Sequence, residues 1–503
     1  MVFLTSLLIF FITLVIWWGL QDGRRCRLFP PGPPRIPFLG SILSIAFKSN
    51  VPAIALAKLA KIYGDVMYIK MGMLDGVIFS SHQAAKEIFN EERANDRVVS
   101  GFVSTRNLNK NVGLVWSNRE VWQTLRRFTI RTLRDFGFGK TSSMDVVINE
   151  EISKFLAHFK KILARSETNT FIMTKELFEM TTTNVLWRLV TGISYDLDDS
   201  RMENVIRLSN EFLLSATNGG DISITFPFLR DWFPEWTERN RQTKCSTDLR
   251  DFVQKLVKEH RNSHFDTSNP QSFIDVFLAK IDLNQNDLIF NEQLIYTLLD
   301  LFQAGSDTNS NTLAFLLLYL VMHPHVQDKV HKEIDAVIPK GSDVTAELKS
   351  RVPYCTATML ETFRYASLVS LTPYREAVQD FQFRNYVIKK GTAIMINIQG
   401  MHFDEEVWGD PQVFRPERFL IKTEAGFNTI DKEKANLVMA FGGGRRVCLG
   451  QNLSETTVLM YFIAMLRNFR FELVHGGVTP SLLPHLGLVY APKPFEVKVI
   501  QRE

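Results

Sequence analysis

FGGGRRVCLG, residues Phe441 to Gly450, followed at once by an apolar-periodic stretch, is the segment on which the reading of this chain turns. Three successive glycines permit a tight turn that brings backbone amides close to a sulfur, and a helix beginning near Leu449 places its positive end at Cys448. Both effects favour the thiolate, the form in which cysteine ligates a metal. A structural cysteine beside a glycine-rich turn would present the same local pattern, so the residues around it carry the decision. The other cysteines, Cys26, Cys245 and Cys355, lie far from it and from one another, with no CxxC spacing. That excludes a zinc ribbon or a disulfide framework and suits a reduced, cytosol-facing domain.

The 503 residues are 45% hydrophobic, enough for a large core, and no Gly/Ser linker, low-complexity tract or fixed-period repeat divides them. A net charge of +4 with scattered basic residues is too slight for a nucleic-acid footprint but permits a basic face for an acidic partner. Apolar spacing near 3.6 predicts helices at residues 146–163, 175–190, 249–260, 291–322 and 453–467, the fourth long and apolar enough to cross the core. Gly64 to Ser80 and Phe381 to Ile398 read as hairpins. The expected fold class is therefore mainly α with small β-sheets. Ile206 to Arg239 mixes aromatics with Gly219, Gly220 and Pro227 and reads as a mobile lid or entrance.

Four further motifs stand in order along the chain. WQTLR puts Trp122 and Arg126 four apart, on one helix face, where an indole N–H and a guanidinium can serve the same anion. AGSDT (Ala304 to Thr308), inside the long helix, removes side-chain bulk at Ala304 and Gly305 and then supplies an acid, Asp307, and a hydroxyl, Thr308. ETFR sets Glu361 and Arg364 three apart on a helix, within reach of each other. PERF (Pro416 to Phe419) follows, before the cysteine loop.

Together these residues resemble the cytochrome P450 family, and the resemblance covers essentially the whole chain. Phe441, Gly444, Arg446, Cys448 and Gly450 occupy the set offsets of its haem-binding signature. The resemblance implies haem b with Cys448 as the axial thiolate and only metal ligand, a ligation that favours O–O cleavage. It implies Trp122, Arg126, Arg446 and, in PYRE, Arg375 as cofactor-binding residues at the propionates, although Tyr374 replaces a His expected one place earlier. It implies Asp307 and Thr308 as the catalytic proton relay, and Arg418 joining the Glu361–Arg364 pair in a structural lock. The activity implied is monooxygenation, hydroxylating or epoxidising an apolar small molecule (terpenoid, steroid, fatty acid or xenobiotic) with O2. Apolar stretches expected to meet it include Phe102, Val103, Leu301, Phe302, Val369, Leu371, Leu488 and Val489. A haem-binding sensor or carrier without turnover is the alternative, and it has no need of AGSDT. A membrane-bound hydrolase is a second rival class, against which stands the lack of a GxSxG elbow or HExxH.

Val2 to Leu20 carries no charge and spans about 28 Å as a helix, a bilayer core. There is no basic n-region or A-x-A-like site for a cleaved signal. Arg24, Arg25 and Arg27 then hold the rest of the chain cytosolic by the positive-inside bias. Residues 1–22 are thus expected to form a single-pass N-terminal transmembrane anchor, 23–40 a basic and proline-rich connector stiffened by Pro30, Pro31, Pro33 and Pro34, and 41–503 the catalytic domain. No GxGxxG opens a helix, and GFGKTS near Gly139 fails as a phosphate loop because Arg134 holds the first glycine position, so electrons must arrive from a partner. The microsomal, animal clan-2-like members that the chain resembles, which include arthropod enzymes, are served by NADPH–cytochrome P450 reductase, with cytochrome b5 as a second donor, at the endoplasmic reticulum membrane. HPHVQDKVH (His323 to His331) invites a metal reading but fits a solvated helix terminus better.

Overall fold

The computed structural model describes residues 2–23, 28–139, 141–215, 222–263, 269–283, 290–339, 341–424 and 426–502. Its axis is the helix Asn291–Met322, 32 residues long. Such a length survives because nearly every side chain from Gln293 to Val321 is buried, so the helix is packed on all sides rather than along one stripe. Helices Glu176–Thr191, Arg239–Ser263, Pro353–Ala366 and Gln451–Asn468 surround it. It ends where Pro324 opens the next helix, at the first-turn position that tolerates proline.

One five-stranded sheet flanks this helical body, in the order Val66–Met71, Leu74–Phe79, Ala393–Ile396, Arg375–Glu376, Asp96–Arg97. The hairpin expected in Gly64 to Ser80 forms, with Val66 opposite Phe79 and Met71 opposite Leu74. The second expected hairpin is shorter than predicted: Phe381–Phe383 pairs with Tyr386–Ile388, whereas Ala393–Ile396 leaves to run parallel to Leu74–Phe79. All four residues of that last strand are buried, and a strand with two apolar faces belongs in the middle of a covered sheet, not in a surface ribbon. At the sheet's far edge Arg97 stands directly opposite Arg375, two like charges in register.

Val2–Gly23 is helical, yet among the described residues no helix is long and apolar enough to cross a membrane. The side chains of residues 2–4, 8 and 18–23 and the whole of 24–27, with Arg24, Arg25, Cys26 and Arg27, lie outside the described residues. The proline-rich connector does not stand clear of the body as a strut. The Pro31 carbonyl accepts from the Tyr68 amide at 2.8 Å, the Leu28 carbonyl from Val387 at 2.8 Å, and Ser41 donates to Lys70 at 2.6 Å. Prolines cannot donate, so the segment is held by its carbonyls. Within the expected lid, helix Ser200–Ser215 is followed by the short helices Ile222–Thr225 and Leu229–Trp232, and residues 216–221 lie outside the described ones.

Candidate active site

The Phe441–Gly450 loop crosses the end of helix Pro353–Ala366 and closes on itself: the Cys448 amide donates to the Phe441 carbonyl at 3.0 Å, and Val447 to Gly444 at 3.1 Å. Two of its glycines are demanded by a close neighbour. A Cβ on Gly444, whose φ is +65°, would lie 2.0 Å from the Phe89 carbonyl oxygen, and one on Gly443 would lie 2.6 Å from the Phe89 ring. The helix behind the loop begins at Gln451, two residues later than expected.

Cys448 opens onto a cavity of about 350 Å³ between the loop and the middle of the central helix. Its other sides are enclosed, and burial pushes the thiol above its ordinary value. The amides of Gly450 and Gln451 and the Arg126 charge oppose that push without overcoming it. Loop and helix end thus favour the thiolate, as the sequence predicts, while burial opposes it, and a metal cation at the sulfur would add to the first.

Above the sulfur the cavity gathers four guanidiniums, Arg97, Arg126, Arg375 and Arg446. Arg126 donates to the Val447 carbonyl at 2.7 Å, and Arg446 lies 3.9 Å over the Trp122 ring while donating to the carbonyls of Asn95 (2.9 Å) and Ser117 (2.8 Å). Arg375 reaches Asn95 Oδ1 at 3.1 Å and the Gly443 carbonyl at 3.2 Å, and Arg97 reaches the Pro373 carbonyl at 2.9 Å. All these acceptors are neutral, and among the described residues none of the four forms an ion pair. Burial pushes Arg446 down to about 8, with repulsion from Arg97 and Arg375 adding to it, Arg375 down to about 9, and Arg97 to about 10. An arginine does not shed its proton in a folded protein, so these depressions express a demand for a counter-anion. Arg375 Nε and Arg446 Nη1 are buried without a hydrogen-bond partner. A flat apolar group bearing carboxylates and a thiolate-seeking metal fits this set, and the residues present therefore fit haem.

Sequence reasoning brought Trp122, Arg126, Arg375, Arg446 and Cys448 to one site, and the structure places all five on one cavity. It missed Arg97, which belongs to no motif; the only signal would have been an arginine in a short apolar-flanked strand, and that is common. On the opposite wall Thr308 lines the cavity beside Ala304 and Gly305, its hydroxyl donating to the Ala304 carbonyl at 2.8 Å. A Cβ on Gly305 would meet the Leu186 side-chain tip at 2.4 Å, so any larger residue there would displace Leu186, which also lines the cavity. Asp307 departs from expectation. It does not line the cavity but turns to the far side of the helix, where it pairs with Lys175, itself 3.0 Å from Glu179. The helix gives the cavity Ala304, Gly305, Thr308 and Asn309, one turn apart, and Asp307 falls outside that arc.

The cavity wall is otherwise apolar, with Leu114, Leu301, Phe363, Leu368 and Val369. Of the expected pocket residues, Leu301 and Val369 are there. Phe102 instead packs on Trp116 and Phe212, and Phe302 on Trp187. Away from the cavity, Glu361 binds Arg364 through both oxygens at 2.7 and 2.8 Å and Arg418 at 3.1 Å, fully buried as the lock reading requires. In HPHVQDKVH, His331 is buried rather than solvated, 3.3 Å from the Phe469 carbonyl, and among the described residues no cluster could hold a metal ion.

The comparisons with known proteins agree with this geometry. The family model described as Cytochrome P450 matches residues 30–499. The chain is 33% identical over 470 residues to cytochrome P450 2C16 of Oryctolagus cuniculus, covering 92% of this chain and 91% of that one. It is 32% identical over 479 residues to cytochrome P450 2C8 of Homo sapiens, covering 94% and 93%. It is 29% identical over 488 residues, 96% of each chain, to a farnesoate epoxidase of Bombyx mori. The chain belongs to the cytochrome P450 family of haem-thiolate monooxygenases.

Proposed function

We propose that Cys448 is the axial ligand of haem b, that Trp122, Arg97, Arg126, Arg375 and Arg446 receive its propionates, and that the enzyme hydroxylates or epoxidises an apolar terpenoid-like molecule. The observation that carries this reading is a set of four guanidiniums, three buried and Arg126 half-buried, none in an ion pair among the described residues, around one cavity with a cysteine at its floor; Asp300 on the same wall is spent on Arg106. Haem bound there supplies the redox and oxygen-activating chemistry that side chains lack. The chain does the rest. Cys448 holds the metal as a thiolate, with the Gly450 and Gln451 amides turned to its sulfur. Leu114, Leu301, Leu368 and Val369 exclude water and hold an apolar substrate by burial. Thr308 Oγ1, now bonded to the Ala304 carbonyl, would turn toward the cavity and hold a proton, through ordered water, for oxygen once electrons from the redox partner have reduced it. Asp307, held by Lys175 and outside the cavity lining, supports that relay from a distance. The substrate class follows the likeness to a farnesoate epoxidase over nearly the full length.

The same reading gives the chain a flavin-containing NADPH–cytochrome P450 reductase and cytochrome b5 as electron donors, at the cytosolic face of the endoplasmic reticulum. A depression of about 780 Å³ beside the cysteine loop, with Lys86 and Lys432 on its rim next to Glu347 and the Lys349–Glu455 pair, is the surface on which an acidic donor would dock. Residues 1–22 are the membrane anchor, 23–40 the connector and 41–503 the catalytic domain. The charge-free Val2 to Leu20 run supports the anchor. So does an apolar surface that includes Phe38, Phe47, Met73, Trp232 and Trp236, all more than half exposed, with Met73 bonded to the Thr225 carbonyl just ahead of the two tryptophans. The test is reconstitution with the reductase and NADPH in vesicles. Farnesoate-class esters and acids should shift the haem spectrum and yield oxygenated product. A spectral shift without product, for every apolar class tried, would favour the carrier reading.

A further inference from the structure

His402 ends the short helix Ile398–His402 and is completely buried. Its Nδ1 lies 2.9 Å from Ser367 Oγ, and its Nε2 receives the Met439 amide at 3.0 Å. The hydrogens can be assigned from the partners alone. Ser367 donates its own proton to the Arg364 carbonyl at 2.7 Å, so it can only accept from the ring. The Met439 amide can only donate. His402 is therefore neutral, with the proton on Nδ1, and burial together with the Arg364 charge holds it well below the ordinary histidine range. Its backbone carbonyl accepts from Arg364 Nη1 at 2.7 Å. Met439 in turn accepts from the Gly442 amide at 2.9 Å, inside the loop that carries Cys448. Two residues earlier, the Leu437 carbonyl is held by His82 Nε2 at 2.9 Å.

We propose that His402 is a positioning residue for the cysteine loop: its ring carries the rigidity of the buried Glu361–Arg364 pair, through Ser367 and the Arg364 main chain, to the Met439 amide at the loop's entrance. This rests on the reading of Cys448 as axial ligand. Without the Nε2 acceptor the Met439 amide is buried unpaired, the Gly442 turn loosens, and the sulfur loses its fixed place under the cavity.

The experiment compares holoenzyme variants by their reduced, carbon-monoxide-bound spectrum, which separates thiolate-ligated from thiol-ligated haem, and by haem release to an excess acceptor protein. His402→Phe keeps the ring volume and removes the acceptor; it should convert to the thiol-ligated form and release haem about tenfold faster, the weight of one buried hydrogen bond left unmade. His402→Gln offers an acceptor again and should restore the thiolate form, which a loss of general stability would not explain. If His402→Phe cannot be recovered folded, Ser367→Ala decides: it leaves Nδ1–H without its acceptor, loosens the ring, and should raise the thiol fraction severalfold, and an unchanged fraction overturns the proposal. Equally, His402→Phe with a parental thiolate fraction, or His402→Gln no better than His402→Phe, overturns it. Cys448→Ala is run beside them. Should it keep the thiolate spectrum, the ligand assignment itself is wrong, an outcome distinct from failure of the His402 arm alone.

Discussion

Two groups of buried arginines hold this molecule, and they are opposites. Arg364 and Arg418 close on Glu361 with the remaining donors spent on the carbonyls of His402, Trp408 and Val413, so charge and hydrogen bonds are satisfied within the chain. Arg97, Arg126, Arg375 and Arg446 have only neutral acceptors, repel one another across a strand pair and a cavity, and leave two nitrogens without partners. A buried charge without a counter-charge costs several kcal/mol. The first group therefore explains itself as structure. The second makes sense only with an anion that the chain does not supply, and so it marks the cofactor site.

The contrast can be broken at several points. The largest expected effect is at the sulfur: Cys448→Ala should abolish the thiolate-type carbonyl spectrum entirely while circular dichroism keeps its helical form. Next is Glu361→Gln, which strands Arg364 in the core and leaves Arg418 only Asp410; urea unfolding should show a loss of about 3–5 kcal/mol with or without haem. Thr308→Ala leaves both arginine groups intact and should lower product formed per NADPH by about tenfold or more, as for a positioned proton donor. Asp307→Asn should cost about threefold or less in the same ratio, because its carboxylate faces Lys175 rather than the cavity. Equal losses at Thr308 and Asp307 would show that the acid swings inward during turnover.

How much of this was legible beforehand follows the range of the interactions. The central helix was read over its full observed extent because its apolar spacing is unbroken, and the cysteine loop, Trp122 with Arg126, and Glu361 with Arg364 were read because each is a local pattern. Arg418 and Arg375 came from the resemblance. What escaped depends on partners distant in sequence. Ala393–Ile396 chose a parallel neighbour more than 300 positions away, and Arg97 becomes a site residue only by facing Arg375 across the sheet edge. Asp307 was set beside Thr308 by sequence adjacency, whereas its position on the helix turns it to Lys175, a partner 132 residues away.

The account's central claim, that unpaired guanidiniums mark the cofactor's carboxylates, is tested most directly by haem release from Arg446→Leu holoenzyme, paired with the unfolding midpoint of its haem-free form. Losing a charged hydrogen-bond donor should speed release by about tenfold or more, while removing one of four repelling charges leaves the haem-free protein equally or more stable. Release at the parental rate, or a haem-free form destabilised like Glu361→Gln, would contradict it.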